Sequence, residues 1–122
     1  MSTENPHILV IDDNEDLLFM LRAMLSLKGY KISVKDNIDD IESSVKALAP
    51  DVILMDMLLS GADGREVCKQ LKSNPAFAGI PIIMISAHSH AKEECLEAGA
   101  NFFLDKPFEM DDLFETVSNA LA

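Results

Sequence analysis

Short runs of consecutive apolar residues, each followed by a stretch with helical periodicity, constrain the fold of this chain most strongly. Three runs are apolar at every position, which is typical of strands buried on both faces of a parallel sheet: 8–11, 52–55 and 81–85. Between the runs, apolar residues recur every three or four positions, as in amphipathic helices. This alternation predicts an α/β fold with helices packed on both faces of a parallel sheet.

The remaining segments complete a pattern of five strands and five helices. Residues 30–35 alternate apolar and polar side chains, which indicates a half-exposed edge strand, and residues 101–104 predict a last short strand. Residues 57–64 are rich in turn formers and predict a loop. Helical spacing predicts five helices, at 14–29, 41–48, around 67–71, at 89–98 and around 113–121. Right-handed crossovers and one polar edge strand favour a doubly wound sheet of strand order 2-1-3-4-5.

Length and charge limit the classes of function that are open to the chain. Its 122 residues predict one domain spanning 1–122, and the formal net charge of −11 disfavours binding to nucleic acid or an anionic membrane. The N-terminus has no signal-peptide pattern, and no apolar run is long enough to span a bilayer. We therefore expect a cytoplasmic protein.

The two cysteines and two of the histidines have structural interpretations. Cys68 and Cys95 both fall within amphipathic helical patterns, so we expect two buried or half-buried thiols rather than a disulfide or a metal-binding pair. His7 and His90 are expected to be structural or exposed.

Acidic, hydroxyl and basic side chains stand at the carboxyl ends of four predicted strands. Asp12 and Asp13 follow the first strand, Asp56 the third, Ser86 the fourth and Lys106 the fifth. These ends share one edge of a parallel sheet, the edge at which open α/β proteins bind ligands. Converging carboxylates repel one another, and a hard cation such as Mg²⁺ would relieve the repulsion. The set has the parts needed for phosphoryl transfer to a carboxylate, although each residue taken singly also fits a structural role.

The motifs around these positions resemble those of a known family over essentially the whole chain. The chain is similar to the receiver domain of two-component response regulators in Ile-Asp-Asp at 11–13, Leu-Met-Asp at 54–56, Asp-Gly at 63–64, Ile-Ser-Ala at 85–87, Glu-Ala-Gly-Ala at 97–100 and Lys-Pro-Phe at 106–108. The resemblance implies a flavodoxin-like (βα)5 fold. The chain ends directly after the last helix, which fits either a free-standing regulator of the chemotaxis type or a receiver cut from a longer protein.

The resemblance also implies a phosphoacceptor and a metal site. Asp56 would accept the phosphoryl group. Asp12, Asp13, Asp56 and the backbone carbonyl of Leu58 would hold Mg²⁺, with Asp13 as a direct ligand.

Three further residues take their roles from the same resemblance. Ser86 would hydrogen-bond the phosphoryl group, and Lys106 would pair with it. Phe103 matches the aromatic switch position, with ordinary strand packing as the alternative explanation. The peptide bond between Lys106 and Pro107 would be cis.

The chain departs from the family pattern in the loop after Asp56 and beside the phosphorylation site. Ser60 and Gly61 follow where the family usually has a proline, so we expect a less rigid loop. Leu58 and His88 occupy the positions that flank the path of the hydrolytic water. Since Leu58 is apolar, we expect slow self-hydrolysis.

The function that these expectations describe is a phosphorylation switch rather than an enzyme in the usual sense. A histidine kinase or histidine phosphotransferase would dock beside the first helix. A protein target would read the surface formed by the fourth helix, fifth strand and fifth helix, and the active form would be a monomer or a phosphorylation-dependent dimer.

Two alternatives remain at this stage. One is a Mg²⁺-dependent phosphatase that forms an aspartyl phosphate, which would need an acid where the chain has Leu58. The other is an interaction domain that keeps the fold without being phosphorylated, and the unusual Ser60 keeps this alternative open.

Overall fold

Five parallel strands, each followed by a helix, form the main sheet of the computed structural model, which describes residues 5–59, 61–88 and 90–122. The strands are β1 His7–Ile11, β2 Lys31–Lys35, β3 Val52–Asp56, β4 Ile82–Ser86 and β5 Phe102–Asp105. The helices are α1 Glu15–Ser26, α2 Ile41–Leu48, α3 Gly64–Lys72, α4 Ala91–Glu97 and α5 Met110–Leu121. The predicted strand order 2-1-3-4-5 is confirmed, and all neighbouring strands pair in parallel.

Both faces of the sheet are covered, which explains why the central strands are apolar at nearly every position. Leu9 and Ile11 of β1 pack into a core with α2, α3 and α4. Ile8 and Val10 point to the opposite face and pack with α1 and α5. Because successive side chains alternate between two buried faces, the strand sequence shows no polar alternation.

The helix bounds differ from the predicted ones mainly at the ends. The first helix was expected to run to Gly29, but α1 ends at Ser26 and passes into a turn that closes at Gly29, whose φ is +82°. The predicted start of the fourth helix at Ser89 lies outside the described residues, and α4 is described from Ala91. None of the helices in the described ranges is long and apolar enough to cross a bilayer.

The segment after β3, predicted as a loop, contains a short antiparallel hairpin. Leu58 pairs with Asp63, and Leu59 pairs with Ala62. The prediction of a loose loop at Ser60 concerns a position outside the described residues. The hairpin matters for the site because it begins two residues after Asp56 and ends at Asp63, the N-cap residue just before α3.

Cys68 and Cys95 are free, buried thiols in the core between the sheet and α3 and α4, as predicted. Burial raises the pKa of both thiols, that of Cys95 to about 11. Both side chains therefore remain protonated near neutral pH and act as small apolar groups.

Candidate functional site

The carboxyl edge of the main sheet gathers the polar residues that end its strands. Asp12 follows β1, Asp56 and Ser86 are the last residues of β3 and β4, and Lys106 follows β5. Parallel pairing extends into this edge, because the Lys106 amide donates to the Ser86 carbonyl at 3.0 Å. The expectation that these four side chains share one edge is confirmed.

Three carboxylates meet within this edge. One carboxylate oxygen from each of Asp12, Asp13 and Asp56 lies within 4.8 Å of the other two. Asp12 is 1% exposed and Asp56 is 9% exposed, whereas Asp13 lies at the surface. Oxygen ligands of this kind, partly buried and open to solvent on one side, suit Mg²⁺, which usually keeps some of its waters.

Asp12 provides the test of whether a cation fits here. Its Oδ1 accepts a hydrogen bond from the Asn14 amide at 2.8 Å, while its buried Oδ2 has no hydrogen-bond partner among the described residues. Burial is the main reason, and the charge of Asp56 a further one, that the pKa of Asp12 rises to about 6. An unsatisfied buried carboxylate oxygen is costly, and a bound divalent cation would remove that cost. The residues present therefore fit a magnesium site.

Both oxygens of Asp56 have a partner. Lys106 Nζ donates to Asp56 Oδ2 at 2.9 Å, and the Leu58 amide donates to Oδ1 at 3.2 Å. Lys106 also lies 3.8 Å from Asp12 Oδ2, so one ammonium faces two buried carboxylates. The peptide bond between Lys106 and Pro107 is cis, as the family resemblance implied. The contacts hold Asp56 at the rim of the sheet as a candidate nucleophile.

Ser86 lies on β4, which pairs with β3, and Phe103 lies on β5, the edge strand beyond β4. Ser86 is 2% exposed, and its Oγ accepts a hydrogen bond from the His88 amide at 3.1 Å. Its neighbour Ile85 is paired with Asp56, so Ser86 stands one residue further along the same edge. Phe103 lies opposite Met84 and is partly buried against the core under α3 and α4. The switch roles of both residues remain predictions.

Two small features shape the acid cluster and were not recognised as part of it from sequence. Asn14 caps α1, its Oδ1 accepting from the Leu17 amide at 3.1 Å, while its own amide orients Asp12. Gly64 donates to the Met57 carbonyl at 2.6 Å, and a Cβ at Gly64 would collide with the backbone carbonyl of Asp56. The Asp-Gly motif was the available signal, and its physical reason is the close approach of α3 to the backbone of Asp56.

With this geometry in place, the comparison with known families is decisive. The family model of the response regulator receiver domain matches residues 8–118. The chain belongs to the response regulator receiver domain family. Receiver domains are signalling switches of two-component systems and bind Mg²⁺ at an acidic site.

Curated relatives of this receiver domain are response regulators of greater length. The phosphate regulon transcriptional regulatory protein PhoB of Rhizobium meliloti is 31% identical over 118 residues, covering 95% of this chain and 52% of PhoB. The DNA-binding response regulator MtrA of Mycobacterium tuberculosis is 33% identical over 119 residues, covering 96% of this chain and 51% of MtrA. The chain thus spans about half the length of these relatives.

Solved structures agree with the fold over nearly the whole chain. A putative response regulator from Chloroflexus aurantiacus superposes with a TM-score of 0.91 at 32% identity, covering 97% of this chain and 98% of that one. The receiver domain of the sensor histidine kinase PA1611 from Pseudomonas aeruginosa has a TM-score of 0.87 at 28% identity, covering 96% and 98%. A magnesium ion is coordinated in the active-site cleft of that structure. The flavodoxin-like fold of the receiver family is therefore shown for this chain.

Proposed function

We propose that residues 1–122 form one receiver domain that changes a protein-binding surface when Asp56 is phosphorylated. The observation that carries the proposal is the environment of Asp56, which lies at the end of β3 in contact with Lys106 and beside two more carboxylates. The phosphoryl donor would be the phosphohistidine of a histidine kinase or histidine phosphotransferase docked beside α1.

The phosphoryl transfer needs one nucleophile and groups that stabilise charge on the phosphoryl oxygens. An oxygen of Asp56 attacks phosphorus, the bond between phosphorus and the donor histidine nitrogen breaks, and the phosphoryl group remains on Asp56. The Lys106 ammonium pairs with the phosphoryl oxygens, and the Ser86 hydroxyl donates a hydrogen bond to one of them.

The acid cluster would hold the metal ion for this step. Its ligands would be Asp12, Asp13, Asp56 and the backbone carbonyl of Leu58, whose amide already contacts Asp56. When bound, Mg²⁺ supplies positive charge that offsets the charge of the carboxylates and of the phosphoryl group.

The switch follows from the new charge on Asp56. Ser86 is drawn toward the phosphoryl group, and Phe103 turns toward the space that Ser86 leaves. This change biases the surface formed by α4, β5 and α5 between two arrangements, one of which a downstream protein target recognises. The active form is a monomer or a phosphorylation-dependent dimer, with no direct contact to nucleic acid.

The arrangement around Leu58 disfavours the phosphatase alternative. Such an enzyme needs a general acid two residues after the nucleophile, and the Leu58 side chain has no proton to donate. Leu58 is instead apolar and 46% exposed, in a position to hinder approach of water to a phosphorylated Asp56.

Intact-mass measurement after incubation with Mg²⁺ and acetyl phosphate tests the proposal. We expect one phosphoryl adduct in the wild type and none in Asp56→Asn. Asp105→Asn is the matched control, because Asp105 is an exposed aspartate at the same edge, next in the chain to Lys106. An adduct that persists in Asp56→Asn would place the acceptor elsewhere, and a wild type without adduct would favour the phosphorylation-independent interaction domain.

A further inference from the structure

We infer that Arg65 is a positioning residue. Through its contact with Glu94 it holds α4 in place and connects this helix to the hairpin that follows Asp56. The inference rests on the proposed function and adds a second connection from Asp56 to the target-binding surface. Arg65 donates to the Asp63 carboxylate through Nε at 3.0 Å and Nη2 at 2.6 Å. Its Nη1 donates to Glu94 Oε2 in α4. Asp63, Arg65 and Glu94 are called the Arg65 clasp below.

The hairpin end of the clasp is well defined. Asp63 is the N-cap of α3 and accepts from the Arg65 amide at 2.9 Å, in addition to the two contacts from the guanidinium. The hydrogen bond from the Arg65 side chain lowers the pKa of Asp63, so the pair remains charged at neutral pH. Two donors on one carboxylate fix the direction of the guanidinium, and this leaves Nη1 aimed at α4.

The same hairpin is in direct contact with Asp56. The Leu58 amide donates to Asp56 Oδ1 at 3.2 Å, and Leu58 is paired with Asp63 across the hairpin. Gly64, next to Asp63, donates to the Met57 carbonyl at 2.6 Å. A phosphoryl group on Asp56 Oδ1 would therefore disturb a contact that is one β-pair away from the clasp.

The α4 end of the clasp is weakly packed. Within α4 the buried residues are Ala91 and Cys95, both small, and Leu96 is 41% exposed. The helix begins after His90, which has a φ of +66° and makes no side-chain capping bond. Small side chains bury little apolar surface, so a polar contact contributes a larger part of what fixes this helix than it would elsewhere.

These contacts give the clasp a regulatory consequence. While Asp56 is unmodified, the hairpin holds Arg65 in place, and Arg65 holds Glu94. Phosphorylation at Asp56 Oδ1 displaces the Leu58 amide, moves the hairpin and weakens the contact to Glu94, which frees α4 to rearrange. Glu94 thus biases the equilibrium between two arrangements rather than taking part in phosphoryl transfer.

Glu94→Gln tests the inference, with Glu93→Gln as the matched control, because both are exposed glutamates in the first turn of α4. Hydrogen exchange of the full chain should show α4 amides exchanging roughly threefold faster in Glu94→Gln, in the range expected for an exposed ion-pair network. Arg65→Gln should have a similar effect. The α4 amides of the variant that combines Arg65→Gln with Glu94→Gln should exchange no faster than those of Arg65→Gln alone.

A second readout separates regulation from mere local stability. If the clasp opposes the phosphorylated arrangement, Glu94→Gln should form the acetyl phosphate adduct roughly twofold faster than the wild type, and Glu93→Gln should not. An adduct in all variants with no change in α4 exchange or adduct rate would overturn the inference alone. Equal effects of the two glutamine variants would also overturn it. Absence of adduct in the wild type would overturn the proposed function and the inference with it.

Discussion

The two ends of the central strands both bury polar side chains, but only one end satisfies them. At the amino end, His7 Nδ1 lies 3.0 Å from the Leu48 carbonyl and must donate, because a carbonyl only accepts. His7 Nε2 lies 2.7 Å from Ser33 Oγ, and the His7 amide donates to Asp51 Oδ2 at 2.7 Å. Every polar group of this buried histidine therefore has a partner.

The carboxyl end of the same strands is left incomplete. Asp12, just after β1, has a buried Oδ2 without a hydrogen bond in the described part of the chain, and Asp12 and Asp56 share the ammonium of Lys106. The comparison teaches that a satisfied polar network fixes the fold, whereas the unsatisfied one lies where the proposed metal ion and phosphoryl group would be accommodated.

The largest effect is expected from removing the positive charge of Lys106 at the carboxyl end of the strands. Lys106→Met should slow adduct formation from acetyl phosphate about 100-fold, because the phosphoryl oxygens lose a positioned positive charge. Initial rates from intact mass measure this effect. Lys31→Met, which removes an exposed lysine at the amino end, is the control. A rate for Lys106→Met close to that of Lys31→Met would show that Lys106 takes no part in the transfer.

The complementary change removes the hydrogen bonds of the His7 side chain at the amino end of the strands. His7→Ala should lower the free energy of unfolding by about 2 kcal/mol, because it leaves the Leu48 carbonyl and the Ser33 hydroxyl without their partner. Urea denaturation measures this loss, and Ser33→Ala should cost about half as much. The adduct rate of folded His7→Ala should match the wild type. A slowed rate would mean that the two ends are not independent.

A smaller effect is expected from binding of Mg²⁺ to the carboxylates at the carboxyl end of the strands. Free Mg²⁺ at ten times its dissociation constant should raise the free energy of unfolding by about 1.4 kcal/mol, since only the folded acid cluster binds it. Thermal denaturation with and without Mg²⁺ measures the gain, which Asp13→Asn should reduce and Asp105→Asn should leave intact. Full stabilisation in Asp13→Asn would contradict the metal assignment.

The smallest effect is the pH dependence of that gain. Because the pKa of folded Asp12 is raised from 3.8 to about 6, the metal-free fold binds more protons than the unfolded chain in this window. The contribution of Asp12 to stability therefore falls as pH rises through the window. Protons compete with the metal, so Mg²⁺ should bind about tenfold more weakly at pH 5 than at pH 7, which lowers its stabilisation by about 1 kcal/mol. Titrations at the two pH values measure this, and equal affinities would place Asp12 outside the metal site.

Much of the fold and the composition of the candidate site could be predicted from local patterns. Runs that are apolar at every position located β1, β3 and β4. Parallel pairing then required Asp12, Asp56 and Ser86 to share an edge. The roles of these residues came from family resemblance and await experiment. The helix ends were less predictable, because α1 stops at Ser26 through a backbone turn for which no single residue before Gly29 gives a signal.

The sequence by itself determined the alternation of strands and helices and the residues at each strand end, since both follow from neighbours along the chain. Only the tertiary structure decided that Arg65 contacts Glu94, that His7 is enclosed by Ser33 and Leu48, and that Asp12 Oδ2 has no hydrogen bond within the described residues. These contacts join residues far apart in sequence. They depend on which surfaces come into contact when the helices pack against the sheet, and a local sequence pattern does not specify those contacts.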